Sequence, residues 1–333
     1  MARKILKVFE RPFDLGGDEV LVTASVGIAV FPHDAGDAKT LLKNADSATY
    51  RAKEGGRDTF RCFMPMMSAG ASDRMNLERD LRHALEREEL QVHYQPIVEL
   101  ASRRVIGAEA LLRWRHPERG LVPPDKFVPL AEETGLINQI GEWVLRTACR
   151  QAKEWNDIGP DPLFVTVNLS GRQMTGHGFI DLVCEVLEET GLASQFLHLE
   201  VTESILMDDI AEATVTLEGL RAIGVSLSID DFGTGFSSLS YLKKFPFSIL
   251  KIDRSFIRGV LDDPDDAALT RAIIAMADGL KIETVAEGVE TKGQHEFLHS
   301  RKCLYGQGYH FSKAVPAEEF LAYVITVNGV SVA

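Results

Sequence analysis

Acidic and amide side chains recur at one kind of place in this chain, the ends of short β-rich runs. They are Glu109, Asn168, Glu200 with Glu203, Asp230 with Asp231, Lys251 with Asp253, Glu287 with Glu290, and Gln307 just before a last, weaker run. Carboxylates gathered in a small volume repel one another unless cations sit among them. Carboxylate and amide oxygens are hard ligands, suited to Mg²⁺ or Mn²⁺ rather than zinc. Two such ions sharing a carboxylate make a centre that cleaves phosphoesters. Taken singly, each residue has a plainer reading. A strand-end Glu or Asp is usually a cap or a surface charge, a lone Asn a turn residue, and a lone lysine a solvated one. The series as a whole is what points to chemistry, and beside it Lys251 becomes a candidate for orienting water or a phosphate oxygen.

The elements that must position these residues alternate in kind. The β-rich runs cover 91–100, 104–114, 163–170, 196–203, 226–230, 249–253, 282–288 and 308–312, and most are separated by amphipathic stretches such as Lys126–Trp155 and Gly178–Thr190. Eight β segments with helical crossovers predict an α/β fold, a (β/α)₈ TIM-like barrel, whose active site lies at the C-terminal ends of the strands. Only Ala101–Arg103 join the first two runs. That is too short for a crossover helix, so the first strand pair is expected to be antiparallel and the barrel a variant. Asp230 and Asp231 face one site only if the strand breaks there, because strand neighbours point to opposite faces. Gly233 and Gly235 are the expected source of that break.

The rest of the chain has other jobs. Residues 1–65 read as a small α/β fragment with too few elements for a complete domain, 66–73 as a small-residue linker, and 74–328 as the barrel, entered by a helix over Arg74–Glu89. The 333 residues include 49 acidic and 36 basic side chains, a net charge of −13, which argues against binding DNA through its phosphates. No run is long enough to span a membrane. Cys62, Cys149, Cys184 and Cys303 form no CxxC pair, so neither a zinc site nor a disulfide framework is expected, and a reducing cytoplasm fits.

At the strand ends the sequence resembles a known family. EALLRW (Glu109–Trp114) matches the signature of EAL domains, cyclic di-GMP phosphodiesterases. YQPIV (Tyr94–Val98), VNLS (Val167–Ser170), LEVTES (Leu199–Ser204), DDFGTGFSSL (Asp230–Leu239), LKIDRSFI (Leu250–Ile257), AEGVE (Ala286–Glu290) and GQGYHFS (Gly306–Ser312) continue the match in order. Phe236 stands where many members have Tyr. The resemblance implies that Glu109, Asn168, Glu200 and Asp230 bind a first metal ion, and that Asp230, Asp231 and Glu287 bind a second. It implies that Lys251 orients the attacking water; Glu287 is also cast in the family as a general base, a role that a water bridging two metal ions would make unnecessary. Glu203 would brace the DDFGTG loop, and Gln95, Arg113, Asn168 and Gln307 would hold the dinucleotide or its surroundings.

The activity implied is metal-dependent hydrolysis of cyclic di-GMP to linear pGpG, which lowers a bacterial second messenger. The cofactors would be two Mg²⁺ or Mn²⁺, with Ca²⁺ bound but inhibitory, because it prefers longer bonds and acidifies water less. Competing readings are a catalytically silent cyclic di-GMP receptor and, more remotely, a carboxylate-rich barrel acting on enolates. A homodimer through the EAL domain is expected, and a cytoplasmic location with any membrane anchor upstream. TASVGIAVFP and NADSATYRAKEGGRDTF resemble the end of a GGDEF diguanylate cyclase domain. GGDEV at Gly16–Val20 imitates the cyclase signature but directly precedes the TASVGIAV strand. It is therefore read as a hairpin turn, in a piece of a longer protein that lacks cyclase activity.

Overall fold

The computed structural model of the chain describes residues 1–9, 13–14, 16, 19–159, 161–174, 178–203, 205, 210–233, 242 and 244–329. They fall into two units, Met1–His83 and Ala84–Ala333. In the first, α1 (Ala2–Phe9) precedes the short strands β1 (Phe13–Asp14) and β2 (Glu19–Val20). These pair antiparallel, Phe13 with Val20 and Asp14 with Glu19, as a hairpin does, and Gly16 has φ +77°. Then β3 (Val26–Ile28), α2 (Ala38–Glu54) and β4 (Phe60–Cys62) form a β–α–β unit with β3 and β4 parallel. Asp37 caps α2 by accepting from the Thr40 N–H, and the helix ends at Gly55. It lies so close on β3 that a Cβ on Gly27 would come within 2.1 Å of the Ala45 carbonyl oxygen.

The stretch expected as an irregular linker, 66–73, is helical. It belongs to α3 (Pro65–Leu81). Proline is accepted in the first turn, and the Met and Ala that follow are good helix formers, so small side chains here favour helix over coil. The helix expected over Arg74–Glu89 accordingly starts earlier and stops at Leu81.

The second unit is the barrel. Its strands are β5 (Leu90–Glu99), β6 (Val105–His116), β8 (Phe164–Asn168), β9 (Leu197–Thr202), β10 (Ser226–Phe232), β11 (Ile249–Ile252), β12 (Glu283–Ala286) and β13 (Tyr305–Gly306), with β7 (Gly120–Val122) hairpinned on β6. From β6 through β13 the neighbours are parallel. β5 closes the ring by pairing antiparallel with both β6 and β13. The antiparallel start is therefore present, and it makes both seams of β5 antiparallel.

Helices α4 (Pro124–Thr134), α5 (Leu136–Ile158), α6 (Gly171–Met174), α7 (Phe179–Thr190), α8 (Ile210–Ala222), α9 (Arg254–Arg258), α10 (Pro264–Leu280), α11 (Lys292–Ser300) and α12 (Ala317–Asn328) accompany the strands. The amphipathic stretch Lys126–Trp155 is two helices, not one. Gly135 adopts φ +80°, ending α4 and starting α5. The last barrel strand is Tyr305–Gly306 rather than 308–312. Gly308 at φ +155° turns the chain away from the ladder, so Gln307 follows the strand end instead of preceding it. Ile97, Ile249 and Val285, with Ile106, Phe164 and Tyr305, fill the barrel interior. Tyr94, Trp155 and Phe320 pack together as a second cluster, with ring centroids 4.5–6.2 Å apart. No helix among the described residues is long and apolar enough to cross a membrane.

Candidate metal centre and active site

Lys251 organises the centre. Its strand, β11, is buried along its whole length, and the side chain is 1% exposed. An ammonium so placed survives only among anions. Its Nζ lies 2.6 Å from Glu287 Oε1, 2.8 Å from Glu200 Oε2, 3.4 Å from Glu109 Oε2 and 3.5 Å from Asp230 Oδ1. Burial works against its charge, but these four carboxylates outweigh it and hold the lysine well above its ordinary pKa.

Each acid reaches this point from its own strand. Glu109 lies in β6, level with Gln95 of β5 and Thr166 of β8. Asn168 ends β8 level with Glu200 of β9. Glu287 follows β12, its N–H donating to the Ile252 carbonyl. Asp230 and Asp231 end β10, where the pairing with β11 slips between Ile229 and Phe232. Asp231 itself takes φ +54°, a left-handed backbone that a non-glycine residue adopts rarely. The extra residue of this bulge lets both neighbours serve one site. The break expected from Gly233 and Gly235 thus begins at Asp231; Gly233 follows at φ +98°, and Gly235 lies outside the described residues.

Amide groups hold the deepest carboxylate. Asn168 Nδ2 donates to Glu109 Oε1 at 2.8 Å, and Gln307 Nε2 donates to Glu109 Oε2 at 2.6 Å and to Gln95 Oε1 at 3.0 Å. Gln95 Nε2 donates in turn to the Ser312 carbonyl at 3.2 Å. Burial opposes the Glu109 charge, but Lys251 and these amides overcome it and hold Glu109 below the usual carboxylate range. Glu200 goes the other way: burial, with Glu109 and Asp230 adding to it against Lys251, raises it well above that range. Burial likewise lifts Glu287 to about 7, with Lys251 opposing and Asp230 and Glu109 adding. Asp231 is also raised, by burial first and then by Asp230 and Asp253.

Four carboxylates therefore face one ammonium, and a fifth, Asp231, lies beside two of them. Their donor atoms are oxygens throughout, joined by the Asn168 amide, which is the ligand chemistry of hard divalent ions. Among the described residues, Asp230, Asp231 and Glu287 are the group of three whose oxygens lie within 4.8 Å of one another. Gln307 Oε1 is buried with no hydrogen-bond partner, an acceptor with room for a donor. The residues fit a metal centre. Glu109, Glu200 and Asp230 lie around Lys251, with Asn168 bonded to Glu109, while Asp230, Asp231 and Glu287 are close enough together to hold an ion.

The remaining sequence candidates lie around this core. Arg113 is partly buried and donates to its neighbour's carbonyl, Leu112 O, at 3.0 Å. Glu203 follows the end of β9 and is partly buried; of the DDFGTG loop it was expected to brace, Thr234 and Gly235 lie outside the described residues, as does Phe236. Glu290 is exposed, with its N–H donating to Gln294 Oε1 at the start of α11. Asp253, to which the sequence assigned no role, caps α9 by accepting from the Ser255 N–H and also hydrogen-bonds Asp231. The Asp-x-Ser spacing of an N-cap is the signal that marks it.

Residues 78–314 match the EAL domain family, and residues 1–59 match Diguanylate cyclase, GGDEF domain. The bifunctional diguanylate cyclase/cyclic di-GMP phosphodiesterase MucR of Pseudomonas aeruginosa is 48% identical over 324 residues, 97% of this chain and 47% of MucR. The cyclic di-GMP phosphodiesterase NbdA of the same organism is 44% identical over 324 residues, 96% of this chain and 41% of NbdA. The chain thus spans about half the length of the curated relatives it matches. The structure of the PaMucR phosphodiesterase in complex with c-di-GMP superposes with a TM-score of 0.71 at 51% identity, covering 74% of this chain and 99% of that one.

Proposed function

The chain belongs to the EAL domain family, and on that premise we propose that its barrel hydrolyses cyclic di-GMP to linear pGpG with the help of two divalent cations, lowering a bacterial second messenger. The observation that carries the reading is the convergence of four carboxylates on buried Lys251 at the strand ends, with Asp231 gathered beside Asp230 and Glu287. A dianionic dinucleotide would be repelled from such a surface in the absence of added positive charge. Glu109, Asn168, Glu200 and Asp230 would hold one Mg²⁺ or Mn²⁺, and Asp230, Asp231 and Glu287 the other. When bound, the ions supply Lewis acidity and lower the pKa of water.

The chain's own residues do the rest. Lys251 keeps its proton against burial and orients oxygen through the three hydrogens of its ammonium, in line with the departing ribose 3′ oxygen. Asn168 and Gln307 fix both oxygens of Glu109, so that this acid cannot swing away from the centre. Glu287, raised by burial to about 7 before any ion is bound, would serve as a ligand once a cation lowers it. Arg113 would offer charge-assisted hydrogen bonds to a phosphate oxygen. Gln95 and Gln307 would line the place of the dinucleotide. Glu203 is assigned to bracing the loop after β10, and pairing into a homodimer through the barrel belongs to the same proposal. So does a cytoplasmic location.

The test is product analysis on the purified chain with cyclic di-GMP, in Mg²⁺, Mn²⁺, Ca²⁺ or chelator. Linear pGpG in Mg²⁺ or Mn²⁺, with binding but no turnover in Ca²⁺, is the expected result. Tight nucleotide binding without product under every condition would make this a receptor instead.

A further inference from the structure

Three imidazoles that the carboxylate centre does not use come together where α11 meets the loop after β13. The rings of His295 and His310 lie 5.7 Å apart between centroids, and those of His295 and His299 lie 6.4 Å apart. His295 and His299 are one helical turn apart in the run His-Glu-Phe-Leu-His, a spacing that places both on one helix face and suits a shared ion.

His295 is set up as a ligand. It is 4% exposed, and its Nε2 lies 2.9 Å from the Leu100 carbonyl oxygen. A carbonyl only accepts, so Nε2 carries the hydrogen and the neutral ring presents a bare lone pair at Nδ1. That Nδ1 is buried with no hydrogen-bond partner. Metal-binding histidines have this form, with one N–H fixed by a carbonyl and the other nitrogen free. The backbone on both sides is anchored. The His310 N–H donates to the Val289 carbonyl, and the Val289 N–H to the Gln307 carbonyl. Gly308 packs so tightly there that a Cβ would come within 2.2 Å of the Val289 oxygen. A capping box between Thr291 and Gln294 fixes the start of α11.

We infer that His295 Nδ1, with His310 and His299, forms a second metal site, for a borderline transition ion such as Zn²⁺. Its imidazole chemistry sets it apart from the hard-oxygen centre. Two imidazoles on one tetrahedral ion, with bonds of about 2.0–2.1 Å, hold their centroids roughly 5 Å apart, a small rotation from the spacing seen. The three rings do not yet bring their nitrogens within 4.8 Å of one another. His299 is exposed and would have to turn inward to complete the site. Glu296 of the same run pairs instead with Lys292 at 3.4 Å on the exposed surface, so no hydrolytic role follows. Arg103 bears on His310 with positive charge and works against a bound dication.

The experiment is a calorimetric Zn²⁺ titration of the full chain in the Asp230→Asn, Asp231→Asn background with excess Mg²⁺. Co²⁺ spectra then report nitrogen ligation. One equivalent of Zn²⁺ is expected, weakened at least about tenfold by His310→Gln and by His299→Gln. Both changes lie at accessible positions, so loss of fold does not confuse the reading, and circular dichroism checks it. No zinc uptake, or uptake unchanged to within twofold in both variants, overturns the proposal.

Discussion

The two units of this chain both carry an acidic signature, with unequal physical support. In the barrel, acids from separate strands converge on one buried ammonium, and amide groups pin the deepest of them. In the N-terminal unit Phe13–Asp14 and Glu19–Val20 pair as a two-stranded antiparallel ribbon of two residues per strand. Acidic residues thus form a charge cluster in one place and a short local strand pair in the other. What separates them is whether strands from distant parts of the chain deliver them to one point.

The largest expected effect breaks the convergence. Glu109→Gln removes one anionic oxygen while keeping the shape of the side chain, and both Asn168 and Gln307 lose a charged acceptor. Turnover of cyclic di-GMP should fall by about three orders of magnitude or more. The fold should survive with a lower melting temperature, because the metal-free protein loses a carboxylate that Lys251 and two amides hold in its charged form. Rates from pGpG release and a melt beside the parent check both halves. Turnover near that of the parent would remove Glu109 from the centre.

Lys251→Met sharpens the point from the other side. With the ammonium gone, four acids lose their common partner, and breaking a buried pair costs about 3–5 kcal/mol. The metal-free variant should melt lower than the parent and regain part of the loss when Mg²⁺ is added. An unchanged metal-free melting temperature would mean that Lys251 does not hold the cluster together.

How much of this was legible beforehand differs by element. The barrel was readable because eight β runs were separated by amphipathic stretches, and the antiparallel start because Ala101–Arg103 leave no room for a crossover helix. The strand-end acids were visible as a series. The bulge at Asp231 was not, since positive φ at an aspartate is imposed by its tertiary surroundings rather than by its own preference. Gly135 splitting one amphipathic stretch into two helices, and Gly308 ending the last strand early, are local turn chemistry that a periodicity reading passes over. The helix through 66–73 was missed because small residues were weighed as flexibility when their helix propensity was the stronger factor. The histidines on α11 and after β13 were separable only once the fold brought them together.

A smaller effect tests the barrel floor. His198 is 8% exposed and stacks on Phe164 at 4.0 Å between ring centroids. Burial, partly offset by a hydrogen bond with the Gln195 backbone, lowers its pKa to about 4. The folded state thus prefers the neutral ring. Above the ordinary value of 6.5 His198 costs nothing, and as pH falls from 6.5 to about 4 the unfolded chain gains a proton that the folded chain refuses. Stability should drop over that window by up to about 3 kcal/mol. All three tryptophans, Trp114, Trp143 and Trp155, lie in the barrel unit, so their fluorescence follows this unit and not the other. His198→Leu should flatten the slope; an equal slope in the variant would place the titrating group elsewhere.

The smallest effect is expected at Asp18 and Glu19, and it decides the other half of the comparison. The β1–β2 pairing of Phe13 with Val20 and Asp14 with Glu19 is made by backbone groups, which alanine retains. Gly16, at φ +77°, supplies the turn geometry and is left untouched. Replacing Asp18 and Glu19 with Ala should therefore leave phosphodiesterase turnover within about twofold and stability within about 0.5 kcal/mol. The parent should make no cyclic dinucleotide from GTP, so the variant has no such activity to lose. If the parent synthesised cyclic di-GMP and the variant did not, Gly16–Glu19 would be a working cyclase signature. The acids of the two units would then both be catalytic, and the contrast between converging strands and a lone hairpin would fail.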